Sequence, residues 1–189
     1  MPAMSNIVVI MSSPRKDGNS STIAKYMAEG AMGLSTNIIE AFNLNDMKVF
    51  RSCDHCDKCK GTGKCIIEDD LTPVLSAIDK CDALIVTTPL YFGNSSSLVN
   101  VLVDRMYYLM GPDFKPVSDR KCKFSAVITY DYDREGADAL MDYFKKTFER
   151  FGFTPCDGIV YNAKGQADAA KNDELLYTMA YNLGHEIGS

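Results

Sequence analysis

Four of the seven cysteines in this 189-residue chain, Cys53, Cys56, Cys59 and Cys65, fall within 13 consecutive residues. Their pattern is Cys-x2-Cys-x2-Cys-x5-Cys, in a stretch from about Asp46 to Asp69 that is rich in Gly, Lys and Asp and poor in apolar residues. Thiolates are soft ligands, so one such loop suits a cubane iron-sulfur cluster or a single tetrahedral zinc. A third reading leaves all four as thiols. The two consecutive short gaps weigh against zinc, which takes separated Cys-x2-Cys pairs more easily. His55 lies inside the loop and is expected to face solvent, because four cysteines already complete a ligand set. His185 reads as a surface residue. Cys81, Cys122 and Cys156 stand alone beside apolar runs and are expected as small core residues without chemistry.

Two further segments carry binding chemistry. The first runs from Ser12 to Thr22, where five of eleven residues bear hydroxyls and Gly18 precedes a helical pattern. A strand-loop-helix junction offers unpaired N–H groups at a helix N-terminus, and hydroxyl donors complete an anion cradle there. Arg15 adds a charge-assisted contact. The spacing matches neither GxxxxGK[ST] nor GxGxxG, which leaves a monophosphate ester as the better ligand. The plainer alternative is that Asn19 or Ser20 merely caps the helix. The second segment, Thr87 to Asn94, combines Pro89, Leu90, Tyr91, Phe92 and Gly93. It offers aromatic surface, a fixed turn and close backbone approach, which suit a flat heterocycle. Phosphate at one loop and ring at the other describe a single ligand.

The elements that must position these loops follow from periodicity. Apolar, β-branched runs recur at Asn6 to Met11, Asn37 to Asn43, Asp82 to Thr88, Lys123 to Tyr130 and Gly158 to Tyr161, which gives five strands. Helical spacing falls between them, at Leu98 to Leu109 and Leu140 to Phe151, with a last stripe from Leu175 to Ile187. Strand and helix alternate, so the expected fold is α/β, a doubly wound parallel sheet with helices on both faces. Ligands then bind beyond the carboxyl ends of the strands. The cysteine stretch, about 46–69, fits neither period and reads as an insertion after strand two. The whole of 1–189 is expected to form one domain.

Charge and cysteine usage narrow the partners. With 20 Lys and Arg against 25 Asp and Glu, the net charge of −5 gives no footprint for nucleic acid or an anionic membrane. The first apolar run, Ile7 to Met11, is too short for a signal-peptide core or a membrane span. Seven cysteines without a secretory segment point to a reducing, cytoplasmic setting.

Ser12-Ser13-Pro14-Arg15-x2-Gly18-Asn19-Ser20, Thr88-Pro89-Leu90-Tyr91-Phe92-Gly93 and Asp104-Arg105 together resemble the NADPH-dependent FMN reductase family of flavodoxin-like proteins. The resemblance implies a five-stranded sheet in the order 2-1-3-4-5 with FMN as cofactor. It assigns Ser13, Arg15, Asn19, Ser20 and Ser21 to the phosphate, and Pro89, Leu90, Tyr91, Phe92 and Gly93 to the border of the isoalloxazine. Tyr130, in the loop after strand four, is a further candidate beside the ring. Asp104 and Arg105 are expected to serve structure. Ser12 stands where relatives usually carry Gly, and Thr129 to Tyr132 where they carry a Gly-containing loop. The cysteine run resembles the iron-sulfur flavoprotein branch of the same family, which implies a [4Fe-4S] cluster on Cys53, Cys56, Cys59 and Cys65.

The expected activity is an FMN-dependent NAD(P)H oxidoreductase with a small-molecule acceptor of quinone or azo type, or a protein partner, assembled as a homodimer or homotetramer. No Ser-His-Asp set, HExxH motif or carboxylate pair is visible, so no protein nucleophile or base is expected. The rival from another class is a flavodoxin-like electron carrier whose loop docks a redox partner without a nicotinamide substrate. A metal-stapled interaction module, holding zinc but no flavin, is the third.

Overall fold

The computed structural model describes residues 4–33, 37–118 and 121–189. Among these residues six strands form one parallel sheet: β1 (Asn6–Met11), β2 (Ile38–Asn43), β3 (Ala83–Pro89), β4 (Lys123–Tyr130), β5 (Thr154–Pro155) and β6 (Ile159–Asn162). The order is β2-β1-β3-β4-β5, and β6 also pairs with β4. The expected fifth strand, Gly158 to Tyr161, is β6 shifted by one residue, and β5 is a two-residue addition before it; both align in parallel on β4. Between them the Ser125 hydroxyl donates to the Asp157 carbonyl at 2.7 Å.

The central strands are buried on both faces, and period two sorts their side chains into two cores. Val8, Ile10, Leu84, Val86, Phe124, Ala126 and Ile128 face one core. There the cover is α3 (Thr72–Lys80), α4 (Ser97–Arg105) and α5 (Arg134–Arg150), whose Phe144 and Phe148 are fully buried. Ile7, Val9, Ala83, Ile85 and Val127 face the other core, beneath α1 (Asn19–Met32) and α6 (Glu174–Gly188). The register Ile7↔Ala83 and Ala83↔Lys123 brings the ends of β1, β3 and β4 to one edge, where the loops meet. A short α2 (Cys59–Thr62) lies inside the cysteine stretch, which the sequence period does not reveal. No helix among the described residues is long and apolar enough to cross a membrane.

Helices α1 and α6 touch backbone to backbone. A Cβ on Gly184 would stand 1.9 Å from the Met27 carbonyl oxygen, and one on Gly30 would stand 1.9 Å from that of Tyr181. Neither contact can yield without separating the helices. Gly184→Ala is expected to cost about 1–3 kcal/mol, as overpacking does, measured as a lower urea midpoint with an unchanged slope.

Candidate functional site

After β1 the chain turns through Ser12 to Gly18 and enters α1. Ser12, at the place where Gly is usual, is buried, and its hydroxyl donates to the Thr87 carbonyl at 3.0 Å. Gly18 is the N-cap of α1, and no side chain closes that helix end. Ser96, Asp133 and Asp173, in contrast, cap α4, α5 and α6 with side-chain oxygens. The amides of the first turn of α1 thus point to a site suited to an anion. Ser13, Ser20, Ser21 and Thr22 are buried around it. The loop closes on the Arg15 carbonyl, which accepts from Gly18 N at 3.1 Å and from the Ser21 hydroxyl at 3.3 Å. A Cβ at Gly18 would fill this cradle, 3.0 Å from Arg15 Cβ and 3.3 Å from Ser13 Oγ. Arg15 itself is exposed.

Four loops converge on a narrow groove of about 160 Å³ at this edge of the sheet. Ser13, Pro14, Arg15, Gly18, Asn19 and Ser20 form one wall; Pro89, Leu90 and Tyr91 form a second. Thr129 and Tyr130 at the end of β4, with Asp131 just after it, complete it together with Ala163, Gly165 and Gln166. Leu90 N donates to Thr129 O at 2.8 Å, locking the second loop to the third. The segment after β6 has no sequence motif, and the periodicity gave no reason to select it. Its signal lies in tertiary contacts. The Asn19 amide donates to Gln166 O at 2.7 Å and its oxygen accepts from Ala170 N at 2.9 Å, so this side chain anchors the fourth loop. Asp131 Oδ1 accepts from Gly165 N at 2.9 Å, a second tie to the same loop.

Tyr130 is buried on the groove, whereas Tyr132 is 91% exposed. Phe92 and Gly93 do not line it. Tyr91 and Asn94 exchange two backbone hydrogen bonds, of 2.8 and 3.0 Å, around a two-residue turn. Both turn residues have positive φ, 51° at Phe92 and 75° at Gly93, which marks a type I′ hairpin with Phe92 exposed at its tip.

The cysteine loop is a closed excursion with an ordered neck. Asp70 Oδ2 accepts from Lys48 N and Val49 N at 2.7 and 2.8 Å, and these two bonds hold its carboxyl below the usual range. Deeper in the neck, Arg105 at the end of α4 has a fully buried side chain, paired with Asp69, itself 5% exposed. Its Nη1 donates to Asp69 Oδ2 at 2.5 Å and to Arg51 O at 3.0 Å. Its Nη2 donates to Ile67 O at 2.9 Å and its Nε to Cys65 Sγ at 3.3 Å. One guanidinium thus ties both sides of the loop and touches one of the four sulfurs.

Within the loop, His55 and Asp57 lie between successive cysteines and both have positive φ, of 51° and 55°. His55 N donates to Cys53 Sγ at 3.4 Å, and the exposed His55 ring stacks on Tyr107 at 5.6 Å. Lys60 Nζ donates to the carbonyls of Tyr107 and Met110, pinning α2 against the turn that follows α4. Cys59 is buried, Cys53 and Cys65 are half-buried and Cys56 is exposed. Burial pushes the Cys59 thiol above its ordinary value; Lys60 opposes this, while the Cys65 and Cys53 sulfurs add to it. The donor set therefore suits a thiophilic group in kind, with two N–H···S bonds already made. Among the described residues, however, no three His, Cys, Asp or Glu side chains converge to hold a metal ion. Of the other cysteines, Cys81 and Cys122 are buried with their sulfurs 3.2 Å apart, and Cys156 is half-buried. His185 is exposed.

The sequence profile described as NADPH-dependent FMN reductase matches residues 5–168. This chain belongs to that family. An iron-sulfur flavoprotein from Methanocaldococcus jannaschii is 34% identical over 101 residues, which cover 52% of this chain and 50% of that protein. One from Archaeoglobus fulgidus is 24% identical over 176 residues, covering 89% and 76%. The match thus spans about half the length of the first relative. Among solved structures, an NAD(P)H:quinone oxidoreductase from Methanothermobacter marburgensis superposes with a TM-score of 0.75 at 14% identity, covering 99% of this chain and 98% of that one. An NADH:FMN oxidoreductase in its apo form gives 0.67 at 16% identity, covering 97% and 88%. These likenesses establish the flavodoxin-like fold.

In this FMN reductase family member the loop neck rests on one buried ion pair. Arg105→Ala leaves Asp69 buried without its counter-charge and is expected to cost about 3–5 kcal/mol, read by urea unfolding; Arg105→Lys should fall between it and the parent. In the metal-free chain, exposure and the raised Cys59 thiol give an order of alkylation at pH 8, Cys56 first and Cys59 last, resolved by peptide mass spectrometry.

Proposed function

We propose that the chain is an FMN-dependent oxidoreductase whose cysteine loop carries a [4Fe-4S] cluster. The observation that carries the FMN reading is the uncapped start of α1, lined by buried hydroxyls and by Gly18, opening into a groove walled by Pro89, Leu90 and Tyr91. Family membership supports the same cofactor. When bound, FMN supplies two-electron and one-electron redox chemistry, which the protein tunes by hydrogen bonds and local dielectric.

The chain's own residues then bind and orient. Ser13, Ser20, Ser21 and the first amides of α1 would hold the phosphate, and Arg15 would neutralise it from the solvent side. Asn19 positions the fourth wall through its two bonds to residues 166 and 170. Pro89, Leu90 and Tyr91 offer backbone groups along the edge of a ring, and Tyr130 offers an aromatic face. The proposed chemistry asks for no protein nucleophile or general base.

Cys53, Cys56, Cys59 and Cys65 would ligate the cluster, and the two N–H···S bonds, from His55 N and Arg105 Nε, would tune its sulfurs. The relatives named iron-sulfur flavoproteins favour this over zinc. NAD(P)H is the proposed donor, and a quinone-type or protein acceptor the proposed partner, in a homodimer or homotetramer.

Anaerobic purification with cofactor analysis tests both halves. About one FMN, four iron and four sulfide per chain are expected, and Gly18→Val should weaken FMN binding about tenfold or more because its side chain fills the cradle. Absence of flavin would overturn the reading. Flavin without iron would remove the cluster alone, and flavin that neither NADH nor NADPH bleaches would make the chain a carrier.

A further inference from the structure

The side chains that fill the two short gaps of the cysteine run meet one ring. Tyr107 belongs to the single 3-10 turn Met106–Leu109 that follows α4. Its neighbours Met106, Tyr108 and Leu109 are buried, and the Tyr108 hydroxyl donates to Asp79 Oδ1 at 2.8 Å, so the turn is fixed to the core. Tyr107 itself is half-buried. From the first gap, between Cys53 and Cys56, the His55 ring stacks on it with centroids 5.6 Å apart and planes inclined by 22°. From the second, between Cys56 and Cys59, Asp57 acts on its hydroxyl: burial pushes the phenol above its ordinary value, and the Asp57 carboxylate adds to this, as do the Cys59 and Cys53 sulfurs. Just past Cys59, Lys60 Nζ sits 3.2 Å from the centroid of the same ring.

These contacts fall where the loop has no other guide. Residues 54–58 are all exposed, so burial does not dictate their path. Within them the backbone turns left-handed at His55 and Asp57, a conformation that both residue types tolerate better than most. An exposed run of this kind takes its course from the few fixed groups it touches, and Tyr107 is touched before and after the second cysteine and again after the third. The ring also lines a cavity of about 440 Å³ together with Cys53, so it stands beside the first cysteine as well.

We infer that Tyr107 is the positioning residue for the first three cysteines: its ring is the template around which Cys53, Cys56 and Cys59 are wound, with His55 and Lys60 as the points of attachment. This rests on the cluster reading and adds what shapes the ligand run. A cubane meets each thiolate at a different iron, so its ligands must surround a volume rather than converge on one point. A rigid ring suits that need, because it grips the residues between the cysteines rather than the cysteines. Arg105, two residues earlier, ties the neck of the same loop.

The experiment compares Tyr107→Leu, which removes the ring, with Tyr107→Phe, which keeps it, in the full chain. Without metal, amide exchange at His55, Lys60 and Gly63, whose N–H groups are bonded within the run, should be about tenfold faster in Tyr107→Leu and within about twofold of the parent in Tyr107→Phe. Val49 and Asp70 in the neck should keep their protection in both. After anaerobic loading with ferrous iron and sulfide, release of iron to EDTA should be about tenfold faster in Tyr107→Leu and return to the parent rate in Tyr107→Phe.

Parent rates of exchange and iron release in Tyr107→Leu would overturn the inference. So would an equal effect in Tyr107→Phe, which would assign it to the hydroxyl, or lost protection at Val49 and Asp70, which would make the ring a support of the fold at large. A parent that takes up no iron would fail the cluster reading and the positioning role with it; faster exchange in Tyr107→Leu would then describe a packing contact.

Discussion

The buried pair of Arg105 and Asp69 is the constraint on which the two halves of this molecule depend. A guanidinium with no exposure is costly to desolvate and is tolerated only when its donors are satisfied. Here Nε, Nη1 and Nη2 all have partners, spread over Cys65, Arg51, Asp69 and Ile67. Those residues flank the cysteine run on both sides. The loop between them is too polar to hold its shape by burial, so its neck is fastened from the helix behind it.

That helix joins the two sites. α4 is capped by Ser96, whose amide is held by Thr88 near the end of β3, and it ends at Arg105, a span of roughly 13 Å. The groove wall, the helix and the cysteine loop therefore share one rigid element. Positive φ recurs at both its ends, at Phe92 before it and at His55 and Asp57 in the loop beyond it, as it does elsewhere at Phe114 and Lys164. The sheet supplies the rigidity behind it, since β3 is buried along nearly its whole length.

Much of this was legible in the sequence, for identifiable reasons. The strands are runs of β-branched residues whose alternation feeds two cores, so β1, β3 and β4 lie within a residue of where the pattern puts them. The loop before α1 was legible as a strand-loop-helix junction because hydroxyls and Gly18 precede a helical pattern, and its buried hydroxyls surround a helix start without a side-chain cap. Less was visible where tertiary contacts decide. The two-residue β5 has no apolar run to mark it and pairs only with the first residues of β4, while the Ser125 hydroxyl holds the Asp157 carbonyl between β5 and β6, a contact 32 residues apart in sequence. Asn19 reads as a phosphate ligand by position, yet its side chain is bonded to a loop some 150 residues away. Asp104-Arg105 was read as structural without its partner being evident, because Asp69 lies in a segment with no periodicity. Cys81 and Cys122, unremarkable as separate residues, meet only because parallel neighbours β3 and β4 begin beside them.

The central claim is that the Arg105 clasp shapes the cysteine loop before any metal arrives. Amide hydrogen exchange on the metal-free chain tests it most directly. Protection is predicted at Val49, Arg51, Asp70 and Leu71, whose N–H groups are bonded within the neck. The protection should disappear in Arg105→Ala while the amides of β1 and β3 keep theirs. Exchange at unprotected rates throughout 48–71 in the metal-free parent would contradict the account, since the clasp would then not hold the loop.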